Sequence, residues 1–446
     1  MFAYCSGIGQ TVPLSAKAGF CAGKGIMTAR GWRVRPFLAK VHRYAGLGMA
    51  LFLIVSGLTG ALLAFYHELD QALNPGLFRV QERRTAALGP DALVAAVQKA
   101  YPNTQVSFLA LHRADRESVH VRLSPGNQSA DGKPNVPDID EVYLDPYDGR
   151  ILGGRQTDAL RADRIHLMPF LYGLHRSMHL PERWGVWLMG LVALTWMFDC
   201  LVGVYLTLPS YRNPKTSACR TVGYSTERNW RQRWKPAWLI KRGAGAPRLN
   251  FDLHRAGGLW LWGMLFTLAM SGAYFNLAQE VFRPVVSLFG TLSPNPVQAL
   301  PKRSGVQPAP QLSFEAAIER ARTLLPEQAR GMQPDFVGYM PAQGVYRVGF
   351  QEQGRGESAF ILGFEQVFVD ADTSQLRGRR GYGSGTPSDK FLAWQFPLHS
   401  GQVLGLPGRI VVCITGLATV MLSITGVLIW NRKRKSRGRA AQPVSR

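Results

Sequence analysis

The chain has 446 residues, 52 basic against 29 acidic side chains, a formal net charge of +23 and 46% hydrophobic residues. That composition excludes a disordered, collagen-like or small disulfide-rich protein. So large a positive charge points either to nucleic acid or to the cytoplasmic side of a membrane, and its distribution along the chain decides between them.

Residues 1–26 hold scattered Gly and Ala without a clear apolar run. They match no signal peptide, receive no role and leave Met27 as an alternative start. Residues 1–35 read as a cytoplasmic N-terminal segment and 36–67 as a first transmembrane span. Its apolar stretch 44–66 is long enough for a bilayer core of about 30 Å, which takes roughly 20 residues. An outer domain follows at 68–183. It opens with a helical run from Pro90, with Asp91 as its N-cap. It continues in alternating strands at 106–111, 118–123 and 141–146, with a hairpin-like turn at Tyr147, Asp148 and Gly149. The second span, 184–208, is uncharged except for Asp199. The loop 209–250 carries ten Lys/Arg and one acid. The third span is 251–278. A second outer domain, 279–400, repeats the order of the first: a helix capped by Ser313, then strands at 336–340, 345–350 and 365–370. The fourth span is 401–430, and a basic tail, 431–446, ends the chain.

Charge sets the orientation. Residues 67–183 are nearly balanced, with fourteen basic and fifteen acidic side chains, and so are 276–396, with twelve and eleven. The positive-inside rule then puts both termini and the 209–250 loop in the cytoplasm, and both outer domains outside; the expected location is a bacterial inner membrane, with those domains in the periplasm. The excess charge is orientation charge, and nucleic acid is set aside as a partner in favour of membrane lipid. None of the five cysteines falls in either outer domain, so no disulfide framework is expected there.

The chain reads twice. KVHRYAGLG opens the first span and DLHRAGGLW the third; LHRSMHL precedes the second and LHSGQVL the fourth. Ser-Gly lies fifteen residues after His42, at Gly57, and eighteen after His254, at Gly272. His175 to Gly203 is 28 residues and His399 to Gly426 is 27. The expected fold class is therefore membrane α-helical: a four-transmembrane-helix bundle built from an internal repeat, with two small periplasmic α+β modules.

These residues, with VYLDPYDGRILG and HRYAGLGMALFLIVSGLTGALLAFYHELD, resemble the PepSY-associated transmembrane helix family, also called iron-regulated membrane proteins, over roughly residues 36–432. The resemblance implies PepSY-like outer modules and a ferric-siderophore reductase holding two b-type haems in a four-helix bundle.

Four of the nine histidines recur in register: His42 with His254 at the inner ends of the spans, and His175 with His399 just outside them. Imidazole is a good axial ligand for haem iron, so these four are the candidate metal ligands. His67, or His179 one helical turn after His175, can replace a member of the outer pair. Arg43 and Arg255 suit a haem propionate or snorkel to headgroups. Asp199 is expected to pair with Arg43 or Arg255 or to be protonated, with a proton relay open. His166 reads as a loop residue, and His112 and His120 as surface or packing residues. The span glycines serve close packing or leave room for a macrocycle. Trp394, Phe396 and Tyr172 line an acceptor mouth or belong to an interface belt.

No Walker, Rossmann, Ser/His/Asp or H-E-x-x-H signature occurs. Electrons must then come from a separate cytoplasmic reductase or from quinol. The alternative readings are a non-enzymatic membrane scaffold that regulates a periplasmic partner, and a transport component.

Overall fold

The computed structural model describes residues 34–111, 116–125, 138–209, 229–298, 300–303, 310–352, 364–381 and 385–440. The expectations for residues 1–33, for His112, and for Cys5, Cys21 and Cys219 lie outside the described residues, as does the 210–228 part of the 209–250 loop.

Apolar runs become helices in lipid because every backbone N–H and C=O must be satisfied within the segment. Helix α1 spans Val34–Leu63. The chain then breaks direction and α2 covers Tyr66–Leu73. Helix α3, Pro90–Ala100, precedes strands β1 (Thr104–Ala110), β2 (Val119–Pro125), β3 (Glu141–Leu144) and β4 (Ile151–Arg155). Helix α4 (Leu167–Ser177) leads into α5 (Glu182–Thr207). The short α6 (Trp230–Trp234) is followed by α7 (Ala246–Trp260) and α8 (Trp262–Leu277). Helix α9 (Phe314–Thr323) precedes β5 (Gln333–Met340), β6 (Val345–Gln351), β7 (Phe364–Asp370) and β8 (Leu376–Gly381). Helices α10 (Pro387–Ser400) and α11 (Leu406–Ala440) complete the described chain.

Three helices, α1, α5 and α11, are each long and apolar enough to cross a membrane. The third expected span differs. Helices α7 and α8 form one apolar pair bent by 70° at Leu261. Gly257, Gly258 and Gly263 flank the break. On either side of it, Trp260 Nε1 donates to the Trp238 carbonyl and Trp262 Nε1 to the Cys200 carbonyl. Weak glycine segments held by side-chain bonds to neighbouring backbone account for a sharp bend. Outward residues such as Leu51, Leu191 and Ile414 are exposed, as lipid contact requires.

Helix α1 packs along α11, and α5 along α8. The α1–α11 contact is backbone to backbone: a Cβ on Gly57 would lie 2.6 Å from the Gly416 carbonyl oxygen, and one on Gly416 would lie 2.7 Å from that of Gly57. This is small-residue packing, since lipid supplies no hydrophobic drive between helices. Gly57→Ala should force the helices apart and cost about 1–3 kcal/mol, as overpacking does, read as a lower thermal midpoint in detergent.

The two outer segments do not form separate modules. Their strands make one eight-stranded antiparallel sheet in the order β4-β3-β2-β1-β5-β6-β7-β8. β1 and β5 join at Leu109 opposite Val337 and Ala110 opposite Phe336. Gly338 lies so close to the Ser107 carbonyl that no Cβ fits between them. Val97, Leu109, Val121, Ala317, Val337 and Val348 belong to one buried core beneath α3 and α9. Pairing the two first strands removes two exposed sheet edges, which otherwise invite aggregation. β4 and β8 are the strands that sequence periodicity missed: Ile151–Arg155 contains two glycines and Leu376–Gly381 three arginines, neither a usual strand composition.

The expected N-caps hold in part. Ser313 Oγ accepts from the Ala316 N–H. Asp91 caps the other repeat's helix rather than its own: its Oδ1 accepts the N–H groups of Phe314 at 2.8 Å and Glu315 at 3.2 Å, and Gly89 is the N-cap of α3. Asp91→Ala should therefore lower the stability of the joined sheet by about 0.5–2 kcal/mol, the usual worth of a cap, measured by denaturant unfolding of the full chain.

A buried ion cluster fastens α2 to the sheet. Arg155 is 3% exposed and meets Asp70 at 2.8 Å and Glu141 at 2.9 Å. Its Nη2 donates to the Tyr143 hydroxyl, and Asn74 donates to Asp70. Burial opposes ionisation of Glu141, but His120, Arg155 and Arg122 outweigh it and hold the carboxyl well below its usual range.

Candidate cofactor site

The fold brings the four recurrent histidines together as two pairs. His42 on α1 and His254 on α7 have ring centroids 6.1 Å apart with a 57° interplanar angle. His175, in the last turn of α4, and His399, in the last turn of α10, are 6.2 Å apart at 67°. Helix α4 ends in Met178 and His179 with φ of 54° and 52°, and α10 ends in Gly401 with φ of 77°. These left-handed caps stop each helix just past its histidine.

Hydrogen bonds fix the tautomers. His254 Nδ1 is 3.0 Å from the Leu422 carbonyl oxygen, which can only accept, so Nδ1 carries the proton. His175 Nδ1 is 3.0 Å from Thr59 Oγ1, whose own proton goes to the Val55 carbonyl. His399 Nδ1 is 2.8 Å from Ser271 Oγ, whose proton goes to the Thr267 carbonyl. His42 Nδ1 is 2.9 Å from Asp199 Oδ1. In each case Nδ1 donates, which leaves Nε2 with its lone pair. A metal-bound histidine has this arrangement, with its other ring nitrogen donating to a neighbour.

The spacing suits one metal between two rings. Two collinear metal–nitrogen bonds of about 2 Å, plus roughly 1 Å from each nitrogen to its ring centre, give a centroid separation of about 6 Å. Among the described residues no group of three or more His, Cys, Asp or Glu side chains is placed to hold a metal ion. Each pair thus brings two imidazoles to one shared space.

A glycine faces each imidazole at Cε1. A Cβ would lie 3.0 Å away at Gly60 for His175, 3.2 Å at Gly426 for His254, and 3.7 Å at Gly203 for His42 and Gly272 for His399. Gly60 is the counterpart of Gly272, since 60 − 42 and 272 − 254 both equal eighteen. The expected match of Gly57 with Gly272 is out of register: Gly57 serves the α1–α11 contact instead.

The alternative ligands have other partners. His67 is on α2, where its Nε2 meets Gln71 at 2.8 Å and its ring meets Phe78. His179 follows the end of α4 rather than extending it. Its Nε2 donates to the Phe170 carbonyl at 2.7 Å and its ring stacks on Phe170, so it does not share the face of His175. Asp199 pairs with neither arginine. Arg255 is bound to Asp252 at 2.8 Å and to the Pro236 carbonyl, because Asp252 is one helical turn away. Arg43 is half-buried on the face of α1 next to that of His42. His166 stands at the N-cap position of α4 with its side chain on Asp163, while His120 stacks on Tyr143 within the sheet. Phe396 packs on Phe275, which stands edge-on to His399 at 5.2 Å; Tyr172 is exposed. Sequence reading missed Thr59, Ser271, Thr425 and Phe275. Thr59 and Ser271 are signalled only by each preceding a glycine eighteen residues after an inner histidine.

No curated protein matches the chain. The model of the PepSY-associated TM region family matches residues 39–433, a stretch that contains most of α1, the whole described sheet, α5, α7, α8 and all four paired histidines. The chain belongs to the PepSY-associated TM region family and is a multi-pass membrane protein.

Proposed function

We propose that the protein is an electron-transfer protein of the bacterial inner membrane that holds two b-type haems and reduces ferric siderophores in the periplasm. His42 and His254 would hold the inner haem, and His175 and His399 the outer. When bound, haem supplies a one-electron Fe(III)/Fe(II) couple. The observation that carries this reading is the set of four Nδ1 donors, which leaves the four Nε2 lone pairs free, on two pairs of rings whose centroids are 6.1 and 6.2 Å apart. The glycines leave room at the ring edges, and Arg43 is the remaining arginine candidate for a propionate.

The chain's own part is placement. His42 and Gly60 are eighteen residues apart on one helix, about 27 Å along its axis. Two sites so placed span most of a bilayer core of about 30 Å. The basic segments put the His42 end in the cytoplasm, where a reductase or quinol would donate, and the sheet in the periplasm. Reducing a siderophore's iron to Fe(II) weakens its hold on hard oxygen ligands and releases it.

An optical spectrum of the detergent-purified protein, oxidised and dithionite-reduced, with haem quantified per chain, tests this. Two low-spin b-type haems per chain are expected. A colourless protein made with ample haem supply overturns the reading and leaves a non-enzymatic scaffold as the better account.

A further inference from the structure

The two inner histidines are held differently. His42 Nδ1 meets the Asp199 carboxylate at 2.9 Å, with Asp199 9% exposed. His254 Nδ1 meets the Leu422 carbonyl at 3.0 Å and Thr425 Oγ1 at 3.1 Å. Asp199 and Leu422 occupy matching places, each four residues before the glycine that faces the imidazole, Gly203 and Gly426. The outer pair donates to the hydroxyls of Thr59 and Ser271. Of the four imidazoles, one faces a carboxylate and three face neutral oxygens.

That difference has a direction. A hydrogen bond to a carboxylate is roughly twice as strong as one to a neutral oxygen. It draws the proton away from Nδ1 and makes Nε2 a stronger donor to a metal. A stronger axial donor, with a negative charge behind it in a medium of low dielectric, favours the oxidised metal and lowers its reduction potential. Arg255, the residue after His254, is bound to Asp252 rather than to Asp199.

We propose that Asp199, acting through His42, makes the His42–His254 site the low-potential member of the two, so that electrons run from the basic end of the bundle toward the sheet. This rests on the haem reading above. One electron leaves the inner site and one arrives at the outer, with no bond or proton exchanged. Asp199 is a positioning residue and touches neither substrate nor acceptor.

The test is an equilibrium redox titration of the purified haem-loaded protein, followed by haem absorbance. Wild type should show two components. His399→Ala, which keeps only the inner site, should retain the lower one. Asp199→Asn should move the lower component upward and leave the upper unmoved with two haems per chain, and Asp199→Glu should restore the wild-type value. An unchanged lower component in Asp199→Asn, or a higher-potential component surviving in His399→Ala, overturns the inference. A higher-potential component surviving in His399→Ala overturns it even where Asp199→Asn fails to fold, and Asp199→Ser, which also removes the charge, then replaces Asp199→Asn. A wild-type chain without haem overturns the haem reading itself, whereas two haems with an unchanged Asp199→Asn titration overturn this inference alone.

Discussion

His42→Ala or His254→Ala should lower haem content from two per chain to one, and so should His175→Ala or His399→Ala. Each pair would supply both protein ligands at its site, so the one ring that remains no longer retains the group. The two single changes within one pair should leave the same surviving spectrum, and changes in different pairs should leave different ones. His67→Ala and His179→Ala should retain both haems, because those rings are engaged with Gln71 and with Phe170. Haem quantification and reduced-minus-oxidised spectra of the six variants check this. Loss of haem in His179→Ala, with the fold intact, would contradict the assignment of the outer pair.

Arg155→Met should be the most damaging single change in the outer region. It leaves the carboxylates of Asp70 and Glu141, 0% and 3% exposed, without their shared cation. Breaking a buried ion pair in this way costs about 3–5 kcal/mol. Replacing the whole set by apolar side chains, with Asp70→Leu and Glu141→Leu added, should recover much of the loss, since a well-packed apolar group avoids the desolvation penalty. Thermal unfolding and limited proteolysis between α2 and β4 read both. The cluster also predicts a pH response. Glu141 is held below its ordinary range in the folded chain. Its contribution is therefore complete above an unfolded carboxyl pKa of about 4.3 and is lost as pH falls through the lower folded value.

Several features were legible in the sequence because they rest on local composition. Length and apolarity mark the helices α1, α5 and α11, and charge counts mark the basic ends. Helical runs at Pro90 and Phe314 and six of the eight strands follow from periodicity. The pairing of His42 with His254 and His175 with His399 follows from register, because helices present residues at fixed intervals. Other features depend on what meets what across the chain. The bend at Leu261 needs neighbouring backbone to receive Trp260 and Trp262. The single sheet exists because β1 finds β5, more than 220 residues away, and Asp91 caps a helix in the other half for the same reason. The donor role of each Nδ1 is set by Asp199, Thr59, Ser271 and Leu422 on other helices. His67 and His179 matched the outer pair by spacing alone, and only the structure shows them engaged with Gln71 and with the Phe170 carbonyl. Composition and period thus determined which segments are helix or strand and which histidines correspond. Tertiary contact decided which atoms face each other, because hydrogen-bond partners far apart in sequence leave no trace in either one's local pattern.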